Sequence, residues 1–484
     1  MDRPAAVAGI TPPPAARLEP DAIGVAQDTI IGMASSAPAA SVGLTLAFLA
    51  AGTAYGSGPI ILITAVPMLI IANAYRRLNL WNANCGASFE WVGRAINPYL
   101  GFLTGWLMIA AYIIATVSGV EVLGPSVLAV FGSSSTNTAG NIAIATAVGL
   151  GMLVIAVVGI KLTARTQVGM AVVEYAILVG LAIAGLVFVA GHHAGTIPFS
   201  SGWLSVDGIG GKGDAFSGGF LIAVFMFTGW DGTLYVNEEV RHRRRNPGRA
   251  AIIAVALLAV IYTLATVGLQ GTVSAKNLAN NSSSALVYTA QAIGGSGWAK
   301  AMALALALSV IATTGTGIVL TARIVYGMAS HRVLPSFLGN VSYRFSTPVA
   351  ASVIVGVLII ALAWVYLLAT SVQNAFTDIV DVTGLLFAIF YILTALATIA
   401  YYRRRLSRPA DLVVLGILPL GAAGFLGWIT EYSIQIEPWT ERWSLIGVVG
   451  IGIVLMLAAR FILDSPFFHI ARESDSATTP AHRR

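Results

Sequence analysis

The sequence is poor in charged residues, which make up only 10% of its 484 residues. A soluble globular domain carries about 25% charged residues, which keep its surface dispersed in water. Hydrophobic residues make up 57% of this chain instead. The composition argues against a water-soluble enzyme, a disordered chain and a nucleic-acid-binding chain, and it predicts an integral membrane protein.

Cysteine is almost absent, because Cys85 is the single one in the sequence. One thiol forms no internal disulfide, and the six histidines are too scattered to combine with it into a metal-binding pattern. Histidine also occurs only near the ends of the apolar runs, which argues against a membrane-embedded nucleophile and base. We therefore expect neither a metal nor a cofactor, and no enzyme activity.

The two ends of the chain lack long apolar runs. Residues 1–22 mix prolines with charged residues and contain no short apolar core followed by a small-residue cleavage site. We interpret them as a disordered cytoplasmic tail, and residues 465–484 as a second cytoplasmic tail. The membrane domain is expected between them, over residues 23–464.

Long apolar runs fill this middle part. A helix needs about 20 mostly apolar residues to cross the hydrocarbon layer. None of the runs alternates with the period of two that a membrane barrel would require. The fold class predicted is an all-α integral membrane protein with twelve transmembrane helices, near residues 26–50, 58–75, 98–120, 140–160, 167–190, 215–238, 250–271, 298–322, 348–369, 376–402, 411–430 and 443–463.

Lysine and arginine are distributed unequally between the connections of these helices. With the amino terminus placed in the cytoplasm, nearly all of the 27 basic residues fall on the cytoplasmic side, the exceptions being Lys212, Lys276, Lys300 and Arg442. Cytoplasmic loops carry such an excess in membrane proteins. The pattern predicts a multi-pass protein of the cell membrane with both termini in the cytoplasm. The basic run at residues 241–245 is then a cytoplasmic anchor beside anionic lipid rather than a nucleic-acid site.

Two of the predicted helices contain helix-breaking residues. In the first, Pro38 follows Ser35, Ser36 and Ala37 and cannot donate a backbone hydrogen bond. In the sixth, glycines at 229 and 232 flank Asp231 near the middle of the membrane. Broken backbone survives in a membrane where it lies within protein or lines a water-filled cavity.

Breaks at matching places in two halves of a chain are typical of inverted-repeat transporters. Breaks in helices one and six predict a five-plus-five repeat, with repeat one at about residues 23–192 and repeat two at about 213–405. Two additional C-terminal helices, eleven and twelve, occupy 410–464. The half-helix ends offer N–H groups to an anion and carbonyl groups to a cation, which suits a zwitterionic solute. The alternative is that each break is a kink used only for packing.

Several motifs occur in one order along the chain: GFLTGW at 101–106, FTGWD at 227–231, NEEV at 237–240, NPGR at 246–249 and TARIVYGMAS at 321–330. In order and spacing these motifs resemble permeases of the amino acid–polyamine–organocation (APC) superfamily. The resemblance extends over most of the twelve helices. It implies secondary transport of amino acids or amines by alternating access.

The resemblance also implies a substrate site between the unwound parts of helices one and six. Helix one departs from the family pattern, because Ser-Ser-Ala-Pro stands where a glycine-rich break is common and Pro38 supplies no N–H to a substrate carboxylate. Carried onto this chain, the implied substrate-binding residues are Ser35, Ser36, Ala37, Ala39, Phe227, Thr228, Gly229, Trp230 and Asp231, with Trp230 a candidate lid or packing residue.

Glu174 lies in an otherwise apolar run of the fifth helix. A carboxyl group at membrane depth usually faces the interior of the bundle, where it loads and releases protons as access alternates. Glu174 is therefore a candidate for proton coupling. The alternative is a structural carboxyl group paired with Lys161 or Arg165, although Arg165 is about 13 Å away along a helix.

Asp231 has three interpretations that the sequence leaves open. It neutralises a substrate ammonium group, it takes part in gating or proton coupling, or it caps the second half-helix through free N–H groups. Glu238 and Glu239 are candidates for an inner gate, and we expect them to pair with the arginines that follow them.

The sequence thus predicts a permease for amino acids or related amines, coupled to protons. One alternative is a polyamine or cationic amino acid exchanger. Another is a solute channel, which is disfavoured because no ring of filter residues is evident. The expected partners are a small-molecule substrate, the lipid bilayer and protons, with no nucleic acid.

Overall fold

The structure is a computed structural model that describes residues 17–43, 46, 57–133, 137–193, 195–204, 213–281, 284–369, 372–436 and 439–474. Most of the two predicted tails lies outside these residues. The described part of the chain is mainly helical. Its α-helices are α1 Val25–Ser35, α2 Ser57–Trp81, α3 Ser88–Ala95, α4 Pro98–Ser118, α5 Val120–Val130, α6 Thr138–Val158, α7 Ile160–Ala190, α8 Gly213–Met226, α9 Asn246–Gln270, α10 Ala275–Asn280, α11 Ala285–Ser330, α12 Val349–Ala369, α13 Val372–Tyr402, α14 Pro409–Leu412, α15 Leu418–Ile436 and α16 Trp439–Phe461.

In the described part of the chain, ten helical segments are long and apolar enough to cross a membrane. They correspond to predicted spans two to five and seven to twelve. The other two predicted spans are the broken ones. The first continues after α1 as a helix at 38–43, and 47–56 lie outside the described residues. The sixth consists of α8 followed by a 3-10 turn at Trp230–Leu234. The total of twelve and the inverted repeat therefore remain predictions.

Several helices extend beyond their predicted bounds, and the third span and α11 do so by the largest margins. The third span covers Pro98–Val130, and α11 covers 46 residues where the prediction gave 298–322. A run of apolar residues marks only the apolar part of a helix. Polar turns at the ends of the same helix are not recognised by it. Within α11 the direction changes at Gly295, whose φ of +71° is a left-handed conformation that glycine adopts at little steric cost.

The centre of the bundle is occupied by α11. Every residue from 312 to 325 of this helix is buried, and α11 packs against α4, α5, α6, α7 and α12. A helix that is buried all round lies inside a bundle. By contrast, large apolar side chains such as Val172, Val187, Val365 and Ile462 are exposed, and together they provide an apolar outer surface suited to lipid.

The short helix α1 lies deep in this bundle. It packs against α7, α9, α11 and the 3-10 turn at Trp230–Leu234. The side of the bundle on which α1 begins is called the N-terminal side below. The packing brings the end of α1 to the interruption in the sixth span.

Candidate functional site

The first break follows α1 directly. Ser36 forms a turn, Ala37 has a φ of +46°, and the helix resumes at Pro38. Pro38 has no N–H to continue the hydrogen-bond ladder, which places the interruption where the sequence predicts it. A left-handed alanine is strained by about 1–2 kcal/mol, so the surrounding packing must hold it in place.

The second break lies between α8 and the 3-10 turn. Gly229 has a φ of +98°, and a Cβ added to it would lie 2.6 Å from the carbonyl oxygen of Ser35. A Cβ on Gly32 would similarly lie 2.9 Å from the carbonyl oxygen of Trp230. The backbones of the two broken helices therefore touch, and glycine is required on both sides of this contact.

A cavity of ≈ 40 Å³ lies beside this contact. Four of the predicted substrate-binding residues line it, namely Ser35, Ser36, Ala37 and Thr228. Within the described part of the chain its lining has no charged side chain; the remaining lining residues are Ala40, Ser41, Ala115, Thr116, Ser118, Gly119, Phe225, Val310 and Thr313. The cavity thus offers hydroxyl groups, backbone groups and apolar surface.

The start of the resumed helix is capped by side chains from other helices. The Ala39 N–H donates a hydrogen bond to Oε1 of Glu174 over 2.9 Å, and the Ala40 N–H donates to Oγ of Ser309 over 3.3 Å. Glu174 is buried and comes from α7, and Ser309 is buried and comes from α11. These N–H groups would otherwise be free to bind an anion, so Glu174 occupies an anion position at break one.

The structure gives Glu174 a different partner from the basic residues that the sequence offered as an alternative. Lys161 forms its ion pair with Glu19. Among the described residues, no ion pair joins Glu174 to Lys161 or Arg165. Ala39, another predicted site residue, meets Glu174 through its backbone.

Asp231 is fully buried among tyrosines. One carboxylate oxygen accepts hydrogen bonds from the hydroxyls of Tyr112 over 3.1 Å and Tyr391 over 2.7 Å, and the other accepts from Tyr235. Tyr112 comes from α4 and Tyr391 from α13, so the carboxylate joins the sixth span to two other helices. Sequence reasoning missed these tyrosines; only the spacing of four residues to Tyr235 was a usable signal.

The aromatic residues at break six pack away from the cavity. The ring of Trp230 contacts Tyr75 and Tyr391, each with a centroid distance of 5.3 Å, and Phe227 contacts Tyr262 at 5.5 Å. Neither these two residues nor Asp231 contributes to the cavity lining. The structure therefore divides the predicted set into residues at the cavity and residues in an aromatic cluster.

On the N-terminal side, Glu239 forms a buried ion pair with Arg323 of α11. Nε and Nη2 of the arginine each lie 3.1 Å from a carboxylate oxygen, and both side chains are 0% exposed. Glu238 accepts a hydrogen bond from the Cys85 N–H over 3.1 Å. The partner of Glu239 is thus Arg323, whereas the sequence argument expected the arginines that follow.

The chain segment before α1 closes the same side. Ile23 forms an isolated parallel β-bridge with Val240: its N–H donates to the Glu239 carbonyl over 3.2 Å, and its carbonyl accepts from the Arg241 N–H over 2.9 Å. Leu18 is buried as well. These contacts place the segment before α1 beside the inner-gate candidates Glu238 and Glu239.

A second polar cluster on this side lies outside the membrane-spanning helices. Arg94 of α3 contacts Glu90 at 2.7 Å and Glu473 at 2.6 Å, and His331 lies 3.5 Å from Glu90. Burial tends to raise the pKa of Glu90, but His331 and Arg94 together hold that pKa below its ordinary value. The cluster ties the segment after α16 to α3.

The model of the amino acid permease family matches residues 28–467. The Asc-type amino acid transporter 1 of Mus musculus is 25% identical over 243 residues, which cover 49% of this chain and 42% of that protein. The large neutral amino acids transporter small subunit 2 of the same species is 24% identical over 238 residues, which cover 49% of this chain and 41% of that protein.

A bacterial relative matches a shorter stretch. The arginine/ornithine antiporter of Lactococcus lactis is 27% identical over 158 residues, which cover 32% of this chain and 29% of that protein. This chain therefore spans less than half the length of the relatives it matches. The family model, in contrast, covers most of the chain, including both breaks, the carboxyl groups at them and the apolar helices around them. The chain belongs to the amino acid permease family, within the APC superfamily, and is a multi-pass membrane protein of a transporter family rather than an enzyme.

Proposed function

We propose that this protein is a secondary active transporter that moves amino acids or related amines across the cell membrane by alternating access, coupled to protons. The observation that carries the proposal is the hydrogen bond between Glu174 and the Ala39 N–H at the first break. It places a buried carboxyl group at the half-helix end that would receive the carboxylate of a substrate. The relatives named above are amino acid transporters, which supports the substrate class.

The uncharged cavity favours a neutral zwitterion over a substrate with net charge. A zwitterion presents one carboxylate and one ammonium group, which backbone N–H and carbonyl groups at the two breaks can pair without a charged side chain. The ≈ 40 Å³ of the cavity holds about three water molecules. An amino acid is larger than this, so its binding requires the walls to move apart, as alternating access does.

Competition for one donor provides the coupling mechanism. An incoming substrate carboxylate and an ionised Glu174 side chain would both seek the Ala39 N–H, and two carboxylates at one site repel each other. A proton on Glu174 removes that repulsion and weakens its hold on Ala39. Substrate and proton would therefore load together, and release of the proton would return Glu174 to the N–H group.

An exchanger for polyamines or cationic amino acids is the second candidate, supported by the similarity to an arginine/ornithine antiporter. Asp231 would then meet the substrate ammonium group. In this structure both of its oxygens accept hydrogen bonds from tyrosines, so a cation would have to displace at least one hydroxyl group. Unchanged affinity of Asp231→Asn for every cationic substrate would rule out that role.

The arrangement in the membrane follows the same proposal. The N-terminal side is the cytoplasmic side, with both termini in the cytoplasm, and the two broken spans complete twelve helices in a five-plus-five repeat with two more at the end. The Glu239–Arg323 ion pair and Glu238 then form the inner gate. In this proposal the gate is shut in the conformation described, and the full burial of the ion pair supports that assignment.

Transport by purified protein in proteoliposomes tests the coupling. Candidate substrates are first chosen by the rise in thermal stability that ligand binding to the folded state produces, with neutral amino acids compared against cationic ones. Uptake should then follow an inward proton gradient. Glu174→Gln should lose gradient-driven accumulation but keep exchange, because the amide cannot carry the proton.

Glu121→Gln is the matched control. Glu121 also lies within a membrane span, but it accepts a hydrogen bond from Tyr366 over 2.7 Å and does not line the cavity. Its variant should accumulate substrate normally. Full accumulation by Glu174→Gln would refute the coupling role, and conductance without saturation would indicate a channel.

A further inference from the structure

One carboxyl group in the first broken span has no hydrogen-bond partner among the described residues. Asp28 lies on α1, two helical turns before the break, and its side chain is 0% exposed. Neither Oδ1 nor Oδ2 has a hydrogen-bond partner among the described residues. Gly32, one turn further along the helix, packs tightly on the 3-10 turn of the sixth span.

The other strongly buried carboxyl groups of the described chain are all engaged. Asp231 accepts from tyrosines, Glu174 from the Ala39 N–H, Glu239 pairs with Arg323, and Glu90 pairs with Arg94. Among the described residues, Asp28 differs from these four in having neither a hydrogen-bond donor nor a cation as partner. The lack of a partner is therefore specific to Asp28 and is not shared by the other buried acids of the described chain.

The elements packed against α1 carry titratable groups, but these are directed to other partners. On α7, Glu174 binds Ala39 and Lys161 pairs with Glu19; on α9, the Tyr262 hydroxyl donates to the Ser36 carbonyl. Asp231 in the 3-10 turn faces tyrosines, and Arg323 of α11 faces Glu239. The remaining titratable groups of these elements form no ion pair or hydrogen bond with Asp28 in the described structure: Arg165, Tyr175, Arg249, Tyr288, Lys300 and Tyr326.

Burial of an ionised carboxylate without a partner is strongly unfavourable, by several kcal/mol even after relaxation. The neutral acid avoids most of this penalty. The conformation described, with the N-terminal side closed over α1, therefore accommodates Asp28 in its protonated form. A conformation that admits water to α1 would favour the ionised form instead.

We infer that Asp28 is a proton-binding site on the half of helix one that closes the N-terminal side, separate from Glu174. Closure takes up one proton on a carboxylate oxygen. Opening breaks that O–H bond and delivers the proton to the water that enters. The inference rests on the proposed alternating access, but it assigns a different residue and a different step from the coupling by Glu174.

Accessibility of a cysteine beside Asp28 tests this directly and needs no substrate. The reporter is Thr29→Cys in a Cys85→Ala background, since Thr29 is 4% exposed and its hydroxyl has no hydrogen-bond partner among the described residues. Purified protein in lipid nanodiscs is labelled with a maleimide between pH 5 and pH 8. The rate is divided by that of Ser407→Cys, an exposed position that corrects for ordinary thiol ionisation.

In the protein that keeps Asp28, the normalised labelling rate should rise with pH. The rise should be up to about tenfold per pH unit over the range where ionisation of Asp28 favours the open state. Asp28→Asn should give a low rate without this slope, because a neutral amide remains buried at every pH. Asp28→Ala is a second neutral variant with the same expectation. Glu121→Gln should keep the slope of the parent protein.

A pH slope that persists in Asp28→Asn and Asp28→Ala would overturn the inference, and so would a flat response in the parent protein. Glu174→Gln is measured in the same assay and should keep the slope. The two proposals are separated when one readout changes and the other does not. Either accumulation is lost while the pH slope of labelling is kept, or the slope is lost while accumulation is kept. Monodispersity and thermal stability of each variant show that the labelled protein is folded.

Discussion

The two breaks are both buried and both touch, but they are fixed to the rest of the molecule in different ways. Break one is held through backbone N–H groups, which donate to Glu174 and Ser309. Break six is held through a side chain, because Asp231 accepts hydrogen bonds from Tyr112, Tyr235 and Tyr391. A single proton on Glu174 would weaken the first attachment, whereas the second is shared among three hydroxyl groups.

This difference suggests a division of labour. The first break is attached by a group that can release it, and the sixth by a group that resists release. We expect break six to keep its position against α4 and α13 while break one changes its contacts with α7 and α11. Four substitutions test this expectation, ordered by the size of the effect on stability.

Gly229→Ala should have the largest effect. The new Cβ would meet the Ser35 carbonyl at 2.6 Å in a backbone conformation of φ +98°, so both breaks would have to separate. We expect a loss of more than about 4 kcal/mol, seen as little or no monodisperse protein in size-exclusion chromatography. Gly151→Ala is the control, because a Cβ there meets nothing within 4 Å; equal yields of the two variants would contradict the close contact.

Asp231→Asn should be the next most damaging. The substitution removes the negative charge that accepts hydrogen bonds from three tyrosine hydroxyl groups. The new amide also points N–H donors at a tyrosine hydroxyl that is itself a donor. Hydrogen bonds to charged groups contribute about 1.5–3 kcal/mol each, so we expect a loss of about 2–4 kcal/mol in thermal unfolding. Tyr391→Phe, which removes one of the three bonds, should cost less; a larger loss than for Asp231→Asn would show that packing of the ring dominates.

Ser309→Ala should have a moderate effect at break one. It leaves the Ala40 N–H without its hydrogen-bond acceptor, which costs about 1–2 kcal/mol for a buried amide. Thr314→Val is the control, since that hydroxyl donates to the Val310 carbonyl of its own helix. The stabilities of the two variants are compared by thermal unfolding. A larger destabilisation by Thr314→Val than by Ser309→Ala would contradict the capping role of Ser309.

Glu174→Gln should change stability least. The amide oxygen can still accept from the Ala39 N–H, so the loss should stay below about 1 kcal/mol while gradient-driven accumulation disappears. This combination, a stable protein without coupling, distinguishes break one from break six. A destabilisation as large as that of Asp231→Asn would show that both attachments are equally rigid and would remove the proposed contrast.

The features predictable from sequence were those written in local patterns. Apolar runs located the long helices, Pro38 located the first break, and the lone acid in an apolar run marked Glu174. The lengths of the third span and of α11 were underestimated, because apolar length reports membrane thickness and not the end of the helix. Asp28 carried a weaker form of the signal that marked Glu174, because it is the one acid in predicted span one but is flanked by Gln27 and Thr29.

The parts that sequence could not supply depend on contacts between distant segments. Tyr112 and Tyr391 lie far from Asp231 along the chain, and nothing in their neighbours indicates a shared carboxylate. The expectation that Glu239 pairs with nearby arginines followed proximity in sequence, but Arg323 of α11 faces it in space. Exposed arginines keep their hydration near the membrane surface, whereas Arg323 is buried and needs a carboxylate partner.

The bridge between Ile23 and Val240 has a mechanical consequence. Two backbone hydrogen bonds join the residue just before helix one to the segment just after the 3-10 turn of helix six. Any force that displaces one of these segments is transmitted to the other without passing through side chains. Because Asp231 anchors this part of the sixth span to α4 and α13, the bridge should act as a hinge about which the start of α1 turns when break one changes its contacts.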